Sequence, residues 1–296
     1  MTAVTATTPP APAPAPTVRR GLWRRAHRLD LGVTGWVSVG ILALVFLLAA
    51  IGPLLTTQDP NAVNLAQGYG APSAHHWLAQ DANGRDILTR LIYGARTALV
   101  GPLLVVVVST IAGAALALAA VWFGGWFDAV VSRVIDAVFA FPGLLLAILA
   151  TSLFGAGLSA AVVALSIAYT PYIARIARSA ALRERAMPYV AALRVQGLRG
   201  VTICVRHILP NITTLIVANA TISFGFALID LAGLSFIGLG VQAPTADWGA
   251  MVSEGVPGIL QHYPQESLYA SVLIVATVAA ANIIGDRLTT RSEARA

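Results

Sequence analysis

The sequence predicts an all-α membrane protein that crosses the bilayer six times. Hydrophobic residues make up 57% of its 296 residues and charged residues only 11%, and the mean hydropathy is +0.77. A soluble domain typically carries about 25% charged residues. Long charge-free runs recur along the chain, and each can supply the roughly 20 apolar residues that a transmembrane helix needs. The basic residues border these runs, so the net charge of +6 does not indicate nucleic-acid binding.

The first span follows a tail of different composition. Residues 1–20 are rich in Ala, Pro and Thr and are predicted to be disordered. Residues 21–34 form a basic cytoplasmic segment, and residues 35–55 form the first span. This apolar run is too long for a signal peptide and has no small-residue cleavage site, so we expect it to be retained.

The remaining spans are predicted at residues 97–122, 129–154, 158–181, 208–237 and 267–285. The third and fourth come from one charge-free run that is too long for a single span and is divided at Gly155-Ala156-Gly157. Pro142 and Pro171 interrupt these two spans and predict fixed bends, because each removes a backbone hydrogen bond.

The segments between the spans form three loops and a tail. The external loop 56–96 is polar and is expected to end in a short amphipathic helix. The other predicted segments are the cytoplasmic loop 182–207, the external loop 238–266 and the cytoplasmic tail 289–296, which together with the spans give a membrane domain over 35–288.

The arginines orient this topology. Every one of the 19 basic residues is arginine, and sixteen of them fall on the side that holds both termini and the central loop. The positive-inside rule therefore places these segments in the cytoplasm. The other three, Arg85, Arg90 and Arg96, are external; we expect either pairing with Asp81, Asp86 or a partner subunit, or interfacial snorkelling.

The residue inventory also excludes several activities. Because the chain has no lysine, it cannot build the phosphate-binding loop of an ATPase. Its single cysteine, Cys204, forms no intrachain disulfide, and no Cys/His cluster indicates a metal. No HExxH motif, nucleophile elbow or paired intramembrane aspartates are present. We predict a chain without catalytic residues, cofactor or metal of its own.

The central loop contains the stretch most suited to a soluble partner. Pro188 can occupy the first position of a helix and Gly197 can end it, so a helix of about two to three turns is predicted. Its helical spacing places Tyr189, Leu193 and two further residues, Ala192 and Gln196, on one face, with Arg194 on another. The helix is too short and too charged to span a bilayer.

This stretch resembles the "EAA" loop of ABC-importer permeases, whose short coupling helix docks into an ATPase subunit. The residues that carry the resemblance are Tyr189-Val190-Ala191-Ala192, Gly197 and the later His207-Ile208-Leu209-Pro210-Asn211. Ala191 stands in the place of the family's glutamate and Leu193 in that of its second alanine. The resemblance implies ATPase coupling through Tyr189, Val190, Ala191, Ala192, Leu193, Arg194, Gln196 and Gly197.

Further motifs in the same order resemble one branch of that family, the "C" permease subunit of dipeptide, oligopeptide and nickel importers. They are His76-Trp77-Leu78 with Asp81, Gly84-Arg85-Asp86-Ile87-Leu88, Tyr93-Gly94-Ala95-Arg96, Leu234-Ser235-Phe236-Ile237-Gly238-Leu239-Gly240, Trp248-Gly249-Ala250-Met251 and Asn282-Ile283-Ile284-Gly285-Asp286-Arg287-Leu288. The family's usual Asp-Pro near the end is absent. The resemblance covers roughly residues 36–288.

The resemblance implies a type I ABC importer permease in the cytoplasmic membrane. Its partners would be a second, homologous permease in a heterodimer, two ATPase subunits that hold ATP and Mg, and an extracellular or periplasmic solute-binding protein. The expected cargo is a dipeptide or oligopeptide, with nickel or another small solute as the alternative.

Two residues are candidates for the translocation pathway, Asp230 and Ser235. A carboxylate inside a span costs about 2.5–3.5 kcal/mol on insertion scales unless it faces protein or water. Asp230 could attract an amino terminus or a metal cation, or could form a structural pair with an arginine of another helix or subunit. Trp248 is predicted to be an interfacial anchor.

Two rival functions belong to other classes. A secondary transporter working alone usually has internal repeats or several intramembrane ionisable groups, and Asp230 is the main deep candidate here. An intramembrane hydrolase would need a catalytic pair such as Asp136 with Asp230, but no recognisable motif surrounds either residue.

Overall fold

The computed structural model describes residues 32–293, and it is helical throughout, with no strand within that range beyond one isolated bridge between Gln80 and Asp86. The predicted disordered tail and most of the basic segment lie outside the described residues. Five helices are long and apolar enough to cross a membrane, and a bent helix pair makes a sixth crossing if it is counted as one span. The end of the bundle that carries the central loop is called the cytoplasmic end, following the positive-inside assignment, and the opposite end the outer end.

The helices follow the chain order in which the spans were predicted. They are α1 Gly32–Leu55, α2 Ile87–Phe123, α3 Gly125–Phe139, α4 Gly143–Phe154, α5 Leu158–Arg185, α6 Pro188–Val195, α7 Gly200–Ile203, α8 Leu209–Phe236, α9 Trp248–Glu254, α10 Val256–Leu260 and α11 Gln265–Glu293. A 3-10 turn covers Leu65–Gln67, and a π-helical turn at Cys204–Ile208 joins α7 to α8.

Helix α2 is longer than the sequence predicted. It begins at Ile87, so the short helix expected at the end of the 56–96 loop is present but is continuous with the second span. Its 37 residues correspond to about 55 Å, well beyond the roughly 30 Å of a bilayer core. The first turn is capped by Asp86, whose carboxylate accepts from the Thr89 N–H at 2.8 Å. Ile87, Leu91 and Ala95 recur on one buried face, which holds the extension against the outer loops.

The predicted third span is two helices instead of one. The axes of α3 and α4 differ by 81°, and the break lies between Phe139 and Gly143. Pro142 explains its place, because proline lacks an N–H and disfavours helical geometry in the residue before it. The sequence predicted a bend at this residue, and the structure shows a full break.

The loop before α8 is also more helical than expected. Helical backbone begins at Gly200 and continues through the π-helical turn into α8, giving one stretch from Gly200 to Phe236. The predicted loop 182–207 therefore ends in the first turns of this stretch.

The buried apolar side chains form two separate cores. The outer core contains side chains of α1, α2, α4, α5, α8, α9 and α11, including Leu99, Leu165, Leu228 and Trp248. The cytoplasmic core contains side chains of α2, α5, α6, the α7 region and α8, including Val121, Ala181, Val190 and Ile208. Helices α2, α5 and α8 thus contribute to both cores, whereas α6 contributes only to the cytoplasmic one.

Candidate functional site

Helix α6 is bounded by local backbone chemistry. Pro188 occupies its first turn after Met187, which has extended backbone geometry. At the other end the Gly197 N–H bonds to the Arg194 carbonyl at 2.9 Å and the Leu198 N–H to the Leu193 carbonyl at 3.2 Å. This pair of bonds is a Schellman motif, which requires the left-handed backbone that Gly197 adopts at φ +78°.

One side of α6 is buried and the other is free. Val190 is 1% exposed, and Tyr189 and Leu193 pack half-buried against the cytoplasmic core. The residues on the free side are Ala191, Ala192, Arg194, Val195, Gln196 and Gly197. Tyr189 and Leu193 therefore face the core, in contrast to the single shared face that the spacing predicted for them with Ala192 and Gln196. The free side offers small and amide side chains, a surface that another protein can approach closely.

A hydrogen-bonded hub fixes α6 to its neighbours. The Tyr189 hydroxyl donates to Glu184 Oε1 at 2.7 Å, and the Asn211 amide donates to the same oxygen at 2.6 Å. Glu184 ends α5 and Asn211 begins α8, so one carboxylate ties three helices together. Burial, followed by the contact with Glu184, raises the pKa of Tyr189 to about 12. The phenol therefore stays protonated and donates throughout the physiological pH range.

Arg194 is directed along the protein surface. Its guanidinium lies 4.8 Å from the centre of the Trp122 ring, at the cytoplasmic end of α2. Arg185 of α5 lies 5.7 Å from the same ring centre. Both separations are within the range of a cation–π contact.

Between the long helices, two tyrosines of α5 meet polar groups of α8. The Tyr169 hydroxyl donates to Asp230 Oδ2 at 2.9 Å, and the Tyr172 hydroxyl donates to Asn219 Oδ1 at 3.0 Å. Asp230 is half-buried and its partner is this phenol, and no arginine among the described residues of this chain pairs with it. Its other carboxylate oxygen remains available to a further donor.

Ser235, the second predicted pathway residue, lies one helical turn beyond Asp230 and is buried. Its hydroxyl accepts from the Val241 N–H at 3.1 Å. The side chain thus organises the turn that follows α8, and the structure does not bring it together with Asp230 in one polar site.

At the outer end, five charged side chains form what we call the outer charge cluster: Asp81, Arg85, Arg90, Glu254 and Glu266. Arg85 pairs with Asp81 and Glu254, and Arg90 pairs with Glu254 at 2.9 Å. Pairing with Asp81 is as the sequence predicted, whereas Asp86 instead contacts His76 at 3.1 Å. Arg90 is completely buried and does not snorkel.

The three carboxylates of the outer charge cluster have oxygens within 4.8 Å of one another, a spacing that could hold a cation. Two guanidinium groups already supply positive charge there, however, so the arrangement fits an ion-pair network better than a metal site. Glu266 Oε1 is buried and has no hydrogen-bond partner among the described residues.

Trp248 corrects a further prediction. It is fully buried, and its Nε1–H donates to the Leu91 carbonyl at 2.9 Å, so it is not an interfacial anchor. A Cβ at Gly94 would approach the indole to 2.9 Å, which explains the glycine opposite it.

Sequence reasoning missed Trp122, Tyr169, Glu184, Glu254 and Glu266. Their partners lie far along the chain, for example 164 residues between Arg90 and Glu254. Glu184 alone carried a local signal, because it lies five residues before Tyr189, at the end of a helix.

Together, the apolar spans and the partly exposed helix α6 define a multi-pass membrane protein. The chain belongs to the family described as "Binding-protein-dependent transport system inner membrane component", whose model matches residues 109–296. It is therefore a multi-pass protein of the inner membrane, as predicted.

Curated relatives cover most of the chain. It is 36% identical over 267 residues to the dipeptide transport system permease protein DppC of Alkalihalophilus pseudofirmus, covering 90% of this chain and 88% of the relative. It is 37% identical to a putative peptide transport system permease protein of Brucella suis, covering 92% and 88%. It is 35% identical to the glutathione transport system permease protein GsiD of Pectobacterium atrosepticum, covering 91% and 88%.

A solved structure supports the fold. The inward-facing MetNI methionine ABC transporter contains a chain that superposes with a TM-score of 0.57 at 20% identity, covering 70% of this chain and 97% of that one. The predicted fold class, an all-α type I ABC importer permease, is confirmed.

Proposed function

We propose that this chain forms half of the translocation pathway of an ATP-driven peptide importer and couples that pathway to a separate ATPase through the 187–200 loop. The observation that carries the coupling role is the geometry of α6. The helix is fixed on one side by Glu184 and the cytoplasmic core, while Ala191, Ala192 and Gln196 face outward. A partner that moves this free side moves the ends of α2, α5 and α8 with it.

Such coupling is two-state rigid-body gating. Closure of the ATPase subunits pushes α6, the helices rock, and the cavity opens outward to receive cargo; hydrolysis returns it inward. The ATP and Mg belong to the partner chains, because this sequence lacks the lysine of a phosphate-binding loop.

The proposed assembly contains two permeases, two ATPase chains and a solute-binding protein. The second permease would be a homologue rather than a copy of this chain. The family description, an inner membrane component of a binding-protein-dependent transport system, supports the solute-binding partner of this assembly.

Peptides are the proposed cargo, since curated relatives are described as dipeptide, peptide and glutathione permeases. Asp230 is the proposed pathway group for the amino terminus of a peptide. Its carboxyl group is half-buried between helices and accepts from the neutral donor Tyr169 at 2.9 Å, and no basic side chain among the described residues pairs with it. A Ni²⁺ ion could use the same charge, which makes nickel the alternative cargo.

The test is reconstitution of the whole transporter. This chain carries the tag and is co-expressed with the permease, ATPase and binding-protein genes that neighbour it, and the purified complex is placed in liposomes. We expect the ATPase chains to co-purify with this chain. We also expect the liposomes to take up a labelled dipeptide or oligopeptide when ATP is supplied. Glutathione and Ni²⁺ serve as parallel substrates, so uptake of Ni²⁺ alone would overturn the peptide assignment.

Two neighbouring substitutions on α6 test the docking face. Ala192→Glu adds a charge to the free side and is expected to reduce ATPase co-purification. Ala191→Glu adds the same charge one residue earlier, where related permeases carry glutamate, and is expected to leave the complex intact. If wild type purifies alone and moves solute down an ion gradient, the chain is a secondary transporter and the proposal is wrong.

A further inference from the structure

Trp122 is the point where the coupling loop meets helix α2. It lies one residue before the end of α2 and packs partly buried against the cytoplasmic core. Arg185 from α5, Arg194 from α6 and Gly200 from the start of α7 all converge on its indole ring.

The two arginines make cation–π contacts with the Trp122 ring. Their guanidinium carbons lie 5.7 Å and 4.8 Å from the ring centre, for Arg185 and Arg194 respectively. Arg185 also donates a hydrogen bond to the Val121 carbonyl, which fixes it to the backbone beside the tryptophan. Arg194 lies in the last turn of α6, so the docking helix is connected to α2 through this contact.

Gly200 allows the backbone at the start of α7 to approach Trp122 closely. A Cβ built at this position would overlap the indole atoms Cε2, Cζ2 and Nε1 of Trp122. The backbone that leads from α6 into α7 therefore lies directly on the ring. Trp122 also lines an apolar groove of about 610 Å³ between α2 and the α7–α8 region.

From this geometry we propose that Trp122 is a positioning residue that transmits the movement of α6 to helix α2. The proposal rests on the coupling role of α6 given above. Both ends of the loop that follows α6 contact one rigid side chain of α2, so α6 cannot move relative to α2 without breaking a cation–π contact or the Gly200 contact. Helix α2 then carries the displacement to its outer end, where Arg90 is buried in the outer charge cluster.

The decisive quantity is the amount of ATP hydrolysed per substrate imported by the complete reconstituted transporter. Trp122→Ala removes both cation–π contacts. This corresponds to a roughly 5- to 30-fold loss in the population of molecules in which α6 is held to α2. We expect assembly and basal ATPase activity to be kept while uptake falls, so the ratio of ATP to substrate rises several-fold. Trp122→Phe keeps a π face and is expected to restore part of the coupling.

The matched control is Trp126→Ala. Trp126 lies on α3 close to the same end of the bundle but is 77% exposed, with Phe127 as a ring neighbour. Its loss is expected to leave the ratio unchanged. If Trp122→Ala lowers assembly, ATPase activity and uptake in parallel with an unchanged ratio, the residue is merely structural and the proposal is overturned.

A second pair of variants tests the contact itself. Gly200→Ala is expected to raise the ratio in wild type, because the added methyl displaces the ring, and to have little further effect in Trp122→Ala, where the space is free. Independent effects of the two substitutions would contradict the proposal. Failure of wild type to retain ATPase chains would instead reject the proposed function itself.

Discussion

Arg90→Met tests whether the outer charge cluster is an ion-pair network that depends on both of its arginines. Arg90 is completely buried and contacts Glu254 Oε2 at 2.9 Å, and its Nε lies 3.8 Å from Asp81 Oδ2. Removing one partner of such a network leaves an uncompensated buried charge, which typically costs about 3–5 kcal/mol. We expect a destabilisation of that size, measured by thermal unfolding of the complex in detergent.

For Glu266 the balance of charges predicts that substitution does not reduce the stability, in contrast to Arg90. Three carboxyl groups face two guanidinium groups in the cluster, so it holds one more acidic than basic side chain, and Glu266 has no ion-pair partner among the described residues. Glu266 is 4% exposed and its Oε1 has no hydrogen-bond partner among the described residues. Glu266→Gln removes this additional acidic group at nearly constant volume, and we expect unchanged or higher stability.

Arg96→Met supplies the control, because Arg96 lies on the same helix but is exposed. A surface substitution of this kind usually changes the stability by no more than about 0.5 kcal/mol. The reasoning is refuted if Glu266→Gln destabilises as much as Arg90→Met, or if Arg90→Met behaves like Arg96→Met.

Three further predictions concern individual side chains that make buried or capping hydrogen bonds. Tyr189→Phe removes a donor to Glu184 and should lower the free energy of unfolding by about 1 kcal/mol. Because the pKa of this tyrosine is raised to about 12, the contribution of its hydroxyl to stability is complete below pH 10 and is lost only as the pH rises through 12. Unfolding measured at pH 7 and at pH 9 should therefore show the same loss. Trp248→Phe should destabilise by about 1–3 kcal/mol through a lost donor and a cavity, while the same change at the exposed Trp77 should have little effect in the same thermal scan. Burial raises the pKa of Asp247, which caps α9. The stabilising effect of the raised pKa is therefore present at low pH and is lost as the pH rises through the folded-state pKa. Asp247→Asn should therefore unfold no more easily at pH 7 than wild type, whereas Asp247→Ala should lose about 0.5–2 kcal/mol of stability.

The spans were predictable because a bilayer imposes one simple rule on composition. A run of about 20 apolar residues must be helical, since no water is present to satisfy its backbone groups. That rule located every long helix, but it could not give the full length of α2. The sequence predicted a short amphipathic helix at the end of the outer loop, and this segment is instead continuous with the second span because Ile87, Leu91 and Ala95 pack into the outer core.

Helix α6 was predictable for a different reason. Its limits are set by local backbone chemistry at Pro188 and Gly197, which can be read from neighbouring residues alone. Its anchoring was not predictable, because the contacts with Trp122 and Asn211 depend on how distant helices pack. The same holds for the outer charge cluster, where Arg90 meets Glu254 across 164 residues.

The division into two cores explains how one helix can couple both sides of the membrane. Helices α1 and α11 contribute to the outer core only, so a displacement of α6 acts first on α2, α5 and α8, which share the cytoplasmic core with it. Of these three, α2 alone contributes a charged side chain to the outer charge cluster. A push on α6 is therefore opposed at the far end of α2 by a buried ion-pair network, which resists gradual displacement because its geometry must be nearly ideal to offset desolvation. This arrangement favours two discrete positions of α2 over a continuous range, which is the behaviour that gating between inward-open and outward-open states requires.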